Sequence, residues 1–339
     1  MADPDLHAAA SAGTLNSIPA EWLTVERLTA ANEAGFTPLH AAAKYGGLRH
    51  LPRGLLTPEL VALKNAAGYT PLHHAAMGGH LDEVPSALLT AEALRARSNA
   101  GYTVWHVAAA QGTLDQVPPE LVVPTVFELA TEVGNTLLHE AAENGTLDKI
   151  PAKFLTADAL SHKNLAGETV FHTAAFNGYL TQLPVGWLTA DTLRQTTSAG
   201  DTVFHAAAIS GNLGQIPASL LVTENLVIAS KSGFTAIHAA AETGQLDKIP
   251  RGQLTAALLT TRNDNGDTPL HAAAFAGHLD QIPAEILTPE QVALRNYESL
   301  SVLQIAIDRG YANQLPAASR PKPVGMLAKF FRGLAGKRI

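Results

Sequence analysis

The chain of 339 residues contains no cysteine. Disulfide frameworks, thiolate zinc sites and a cysteine nucleophile are thereby excluded, and the redox state of its compartment is left unconstrained. No uninterrupted apolar stretch approaches the ~20 residues that span a bilayer. The opening "MADPDLHAAASAG" carries Asp3 and Asp5 where an export signal would carry positive charge before an apolar run. Phosphate-binding glycine loops, nucleophile elbows and metallohydrolase helix motifs are missing too. With 46% apolar residues to fill a core, the expectation is a folded, soluble, cytoplasmic protein that is not an enzyme and uses no cofactor.

What is present is a period. His7, His40, His73, His106, His139, His172, His205, His238 and His271 follow one another at 33-residue intervals, with Gln304 in the tenth slot. Glycine recurs with the same spacing from Gly13 through Gly46 and Gly79 to Gly310, and proline from Pro19 through Pro52 and Pro85 to Pro316. Within each period Gly35 and its equivalents suit the positive φ of a turn, Thr37 caps a helix, and Pro38 fits the first helical position, where no amide donor is needed. Gly46 ends that helix in the left-handed conformation.

The segments "GFTPLHAAAKYGG" (35–47), "GYTPLHHAAMGG" (68–79) and "GDTPLHAAAFAG" (266–277) resemble the ankyrin repeat, and the resemblance covers residues 5 to about 316. It implies an all-α helical repeat solenoid: stacked helix-turn-helix units joined by β-turn fingers. Ala42, Ala43, Ala75 and Ala76 are then small because neighbouring inner helices approach closely, and Leu39, Leu72 and Trp105 fill the space between. The second half of each repeat departs from the family pattern. In "LDQIPAEILTPEQVALRN" (279–296), Pro283 and Thr288-Pro289-Glu290 interrupt any outer helix, so two short helical turns with a fresh cap are expected. Leu28, Val61, Leu94, Phe127, Leu160, Leu193, Leu226, Leu259 and Val292 supply an apolar column for that half. The expected organisation is a capping repeat at 1–34, eight repeats over 35–298, a degenerate repeat at 299–316 and a basic tail at 317–339. At ~10 Å per repeat this would be an elongated monomer about 90 to 100 Å long.

Several clusters imitate catalytic or metal sites. His73, His74 and His80 fall within eight positions, but histidines one repeat apart stand ~10 Å apart, too far to share a zinc. His74 points ~100° away from His73 on the same helix, and His80 follows the terminating glycine. No metal site is expected; the repeat histidine would bond neighbouring turn backbone, as the resemblance implies. Asp82, Asp115, Asp148, Asp247 and Asp280 form a second column, read as helix caps rather than catalytic carboxylates.

A scaffold must carry its function where its repeats differ, on finger tips and the exposed side of inner helices. Phe36, Tyr69 and Tyr102 follow successive turn glycines, with Tyr45 and Met77 nearby. They read either as interface anchors or as tips that pack on their neighbours. Glu140, Glu143, Glu168, Asp201 and Glu242, with Glu132, make the later inner face acidic, which favours a basic protein segment and disfavours nucleic acid. The expected function is a scaffold that binds a partner protein through its concave finger and inner-helix surface.

Charge is unevenly placed: the tail after Pro316 has six bases and no acid, and the 17 bases before it face 30 acids. As a helix, residues 325–339 would gather Met326, Leu327, Phe330, Phe331 and Leu334 within about 140°, with Lys329 and Arg332 opposite. Three readings stay open: a cap on the last repeat, an anchor to an anionic membrane surface through Lys329, Phe330, Phe331 and Arg332, or a segment docking into the chain's own groove. A further alternative is a regulatory subunit of an enzyme on another chain.

Overall fold

The computed structural model describes residues 3–320. Among these, the inner helices recur on the sequence period: Leu6–Ser11, Pro38–Tyr45, Pro71–Gly78, Val104–Gln111, Leu137–Asn144, Val170–Asn177, Val203–Ile209, Ala236–Glu242, Pro269–Ala276 and Val302–Asp308. Thr37 precedes the second, and its hydroxyl accepts the His40 N–H at 3.3 Å while the Thr37 N–H donates to His40 Nδ1 at 3.3 Å. The same reciprocal cap stands at Thr70, Thr103, Thr136, Thr169, Thr202, Thr235 and Thr268. Two amide donors that the first helical turn leaves without intrahelical partners are thus satisfied. Gly46, Gly79, Gly112, Gly145, Gly178 and Gly277 terminate their helices with φ between 70° and 85°.

The outer half of each repeat is not one helix. A three-residue 3-10 turn such as Leu81–Glu83 is followed by a second, Ser86–Leu88, and then by the four-residue helix Ala91–Leu94 capped by Thr90. Proline before the second turn forbids a continuous ladder, as the sequence implies. In one repeat the last piece is itself a 3-10 helix, Pro124–Glu128, preceded by Val123, which offers no side-chain cap; Val222 at the same repeat position also gives no cap, yet Thr223–Leu226 stays α-helical.

The chain divides between Gln215 and Ile216 into two compact units. In each, inner helices pack directly on their neighbours, for example Pro38–Tyr45 on Pro71–Gly78 and Pro269–Ala276 on Val302–Asp308. The packing is that of an all-α repeat solenoid. Ala42, Ala43, Ala75 and Ala76 are fully buried, as are Leu39 and the outer-half residues Leu28, Leu94 and Leu160. Each such leucine stabilises the fold by roughly 1.5–3 kcal/mol relative to exposure.

Between the helices the chain forms β-turn fingers. Asn65 N–H donates to Tyr69 O, and Asn65 Oδ1 accepts from the Ala67 and Tyr69 amides. Neighbouring fingers join by single backbone bonds: Ala66 N to Ala34 O, Asn99 N to Ala67 O, Glu132 N to Ala100 O and Leu165 N to Val133 O, at 3.0–3.1 Å. Gly68 shows why glycine belongs here. Its φ is +80°, and a Cβ would lie 2.7 Å from the Asn99 amide nitrogen, so a side chain would break the ladder as well as strain the turn.

A second set of inter-repeat bonds uses glutamine. Gln116, Gln182, Gln281 and Gln314 each accept, at 3.0 Å, the N–H of the leucine that opens the preceding repeat's 3-10 turn. With the amide nitrogen each donates to the carbonyl of that repeat's helix-ending glycine at 2.7–2.9 Å. One amide therefore clamps a donor and an acceptor that the helix end leaves open.

The aspartate column requires a correction. Asp82, Asp115, Asp148, Asp247 and Asp280 occupy the second position of three-residue 3-10 turns and are exposed. The preceding residues, such as His80 and Thr113, hold the cap position, and no side chain caps there. Asp148 and Asp247 instead pair with adjacent Lys149 and Lys248 at 3.0 and 2.8 Å.

Candidate functional site

The repeat histidine is a structural strut. His73 Nε2 lies 3.0 Å from Tyr102 O, His139 Nε2 3.1 Å from Glu168 O, and His172 Nε2 3.1 Å from Asp201 O. Because Nδ1 accepts the threonine amide, the neutral tautomer with hydrogen on Nε2 satisfies both ends of the ring. Burial holds His73, His106, His139 and His172 down to about 4, so these rings stay neutral near pH 7. Among the described residues no group of three histidine or acidic side chains could hold a metal ion.

On the inner surface before Gln215, a cleft of about 630 Å³ opens between fingers and inner helices. Its apolar wall is Val133, Leu165 and Phe176, 56%, 77% and 54% exposed. Three large apolar side chains this exposed around one cleft make it the candidate contact surface of this unit. Glu143 and Glu168 line the same cleft, with Asn135 and Asn164 between them.

A polar chain runs beneath it. Asn164 Nδ2 donates to Asn135 Oδ1 at 3.0 Å and to Glu168 Oε2 at 2.9 Å, while Asn135 Nδ2 donates to Glu140 Oε1 at 3.1 Å. The Tyr102 hydroxyl also bonds to Glu140. Glu140 is 3% exposed, and burial, reinforced by the Glu143 charge, pushes its carboxyl up to about 7. Burial and the two glutamates push the Tyr102 hydroxyl up to about 12.

The ankyrin repeat family model matches residues 67–98 and 265–287. The chain carries ankyrin repeats. These repeats serve in general to mediate protein–protein interaction, and no curated protein matches the chain.

The ankyrin framework places the sequence-derived site residues unequally. Glu143 and Glu168 share the cleft described above, whereas Glu140 lies under the surface, where the expectation had an accessible acid. Its position on the inner helix is filled by Ala41, Val107 and Thr173 in other repeats, a column whose small and apolar members foretell burial. Phe36, Tyr69 and Tyr102 are half-buried, with rings 5.4 Å from His40, 5.4 Å from His73 and 6.1 Å from His106 respectively. Their faces are thus partly committed to neighbouring histidines. Tyr45 is 46% exposed and Met77 half-buried; Asp201 is half-buried and Glu242 exposed. Val133, Leu165 and Phe176 were missed, because they stand at variable positions that a search for columns discards. No helix among the described residues is long and apolar enough to cross a membrane. Lys329, Phe330, Phe331 and Arg332 lie outside the described residues.

Proposed function

We propose that the protein is a non-enzymatic scaffold whose inner surface binds a partner protein, and that the partner presents a segment combining basic and apolar side chains. The observation that carries this reading is the cleft formed by Val133, Leu165 and Phe176 beside Glu143 and Glu168. Burying those three side chains supplies the apolar contact, and the two carboxylates supply orientation and discrimination against acidic partners. Asn164 holds the Glu168 carboxylate in place, so that group needs little ordering on binding. Tyr45, Met77, Tyr69, Tyr102 and Phe36 extend the surface towards the N-terminal repeats, and Asp201 continues the acidic face.

The test is selection of peptides from a random displayed library on the full chain. Enrichment of sequences with lysine or arginine next to aliphatic residues, abolished in a Phe176→Ser, Glu168→Gln variant, supports the reading. Enrichment of acidic peptides, or enrichment that the variant does not change, refutes it.

A further inference from the structure

A second cleft, of about 370 Å³, opens on the inner surface of the unit that follows Gln215. We propose that it receives an arginine side chain from the partner's basic segment, seated on the Phe275 ring in the place that Arg309 now occupies; this rests on the protein-binding reading above.

The argument starts from charge. Glu242, Asp267, Glu298 and Asp308 line the cleft, and Arg309 is the one lysine or arginine among its lining residues. Among the described residues none of these four carboxylates lies within 4.0 Å of a basic group in an ion pair. The histidines that line the cleft add no compensating charge in the case of His271, which burial holds below its ordinary value. Two carboxylates are fixed in direction: Asn296 Nδ2 donates to Asp267 Oδ1, and Gln304 Nε2 donates to Asp308 Oδ1, both at 2.7 Å. A concave site with four carboxylates and one guanidinium attracts a further cation.

The aromatic surface narrows the cation to a planar one. Phe275 is 51% exposed, and the Arg309 guanidinium carbon lies 3.6 Å from its ring centroid. The ring face therefore accepts a guanidinium, and the carboxylates that line the same cleft are available to accept its N–H groups. Leu300 and Ile305 supply apolar lining for the methylenes of an incoming side chain. Arg309 is itself exposed, so its displacement into water exposes no buried charge. The volume falls in the ~300–1,000 Å³ range of sites that bury a small ligand group.

The experiment uses the full chain and a fluorescein-labelled peptide, Gly-Leu-Arg-Leu-Arg-Gly, read by anisotropy at low salt. Replacement of both arginines by citrulline, equal in shape and uncharged, abolishes binding. Phe275→Ala and Glu298→Gln, both at exposed positions, each weaken binding about tenfold, as loss of an anchor does. Arg309→Gln tightens it by about threefold, because the competing cation is gone, while Lys248→Gln, the same charge change on an outer turn, leaves it unaltered. Binding insensitive to Phe275→Ala, or weakened by Arg309→Gln, overturns the proposal. If Phe176→Ser removes binding and Phe275→Ala does not, the second cleft fails while the protein-binding reading stands. Spermidine displacing the peptide with equal affinity shows a general polycation site and overturns arginine recognition.

Discussion

Acid should unfold this protein through its histidines. His73, His106, His139 and His172 are at most 2% exposed, and burial holds each at about 4, against an ordinary 6.5. A group whose folded value is depressed in this way is neutral in both states above pH 6.5. As pH falls from 6.5 towards 4 the unfolded chain takes up protons that the folded chain refuses, and stability is lost. At pH 5.5 the difference is about 1.4 kcal/mol per ring, or about 5–6 kcal/mol for the four. Glu140 opposes this: its folded value of about 7 lies above the unfolded one, so its contribution is lost as pH rises and regained as pH falls. Between pH 7.5 and 5.5 it returns about 2 kcal/mol. His74, which burial holds down to about 3, adds about 1.4 kcal/mol in the same way, so the net loss is about 5 kcal/mol, a large part of the ~5–15 kcal/mol that holds a typical domain.

The assay is urea unfolding followed by circular dichroism at the two pH values, on the parent and on His139→Gln. Glutamine is the residue the chain itself uses at this repeat position, in Gln304. His139 faces His162, Glu168 and His172, and these charges modulate its titration without reversing the effect of burial. The variant should be less stable at pH 7.5, yet its loss between pH 7.5 and 5.5 should shrink by about 1.4 kcal/mol. An unchanged loss, or a nuclear magnetic resonance titration placing the His139 ring near 6.5, would refute the reasoning.

Gln182→Ala removes the bonds to Gly145 and Leu147 and should cost about 1–3 kcal/mol of unfolding free energy. Lys149→Ala, at the same repeat position but without that clamp, should stay within about 0.5 kcal/mol, and equal effects would argue against it. Glu140→Gln keeps an acceptor for Asn135 and Tyr102 while removing the buried charge. It should raise stability by about 3 kcal/mol at pH 8 and by less than about 1 kcal/mol at pH 5, so a shift equal at both values would show that burial of charge is not the cause.

The framework was legible in the sequence because its residues answer to one physical demand repeated every 33 positions. Thr37, Pro38, His40 and Gly46 each solve a helix-end problem, and each solution is chemically specific enough to read. The kinked outer half was equally legible, since Pro283 and Thr288 leave few alternatives. The aspartate column misled: its regularity was real, but the three-residue turn opens two positions earlier than a cap reading assumes. The glutamine clamp was visible as a column at Gln116, Gln182, Gln215, Gln281 and Gln314, and went unread because Lys149 and Lys248 interrupt it. Glu140 shares its column with Ala41 and Val107, so its position and not its charge decides that it is buried.

The surface was harder to read for a physical reason. The column Glu143, Phe176, Ile209, Glu242, Phe275, Asp308 faces away from the stacked core, so packing imposes neither size nor polarity on its members. Taken singly these residues look like noise around a constant repeat. Taken in succession they place an acid one repeat before each phenylalanine: Glu143 before Phe176 in the first unit, Glu242 before Phe275 in the second. Both pairs line a cleft. A single ankyrin repeat offers one residue at this position and cannot present apolar and anionic contact together. Two adjacent repeats can, because the finger ladder and the glutamine clamp fix their separation, so under the proposed function the smallest unit that could present both contacts is a pair of repeats.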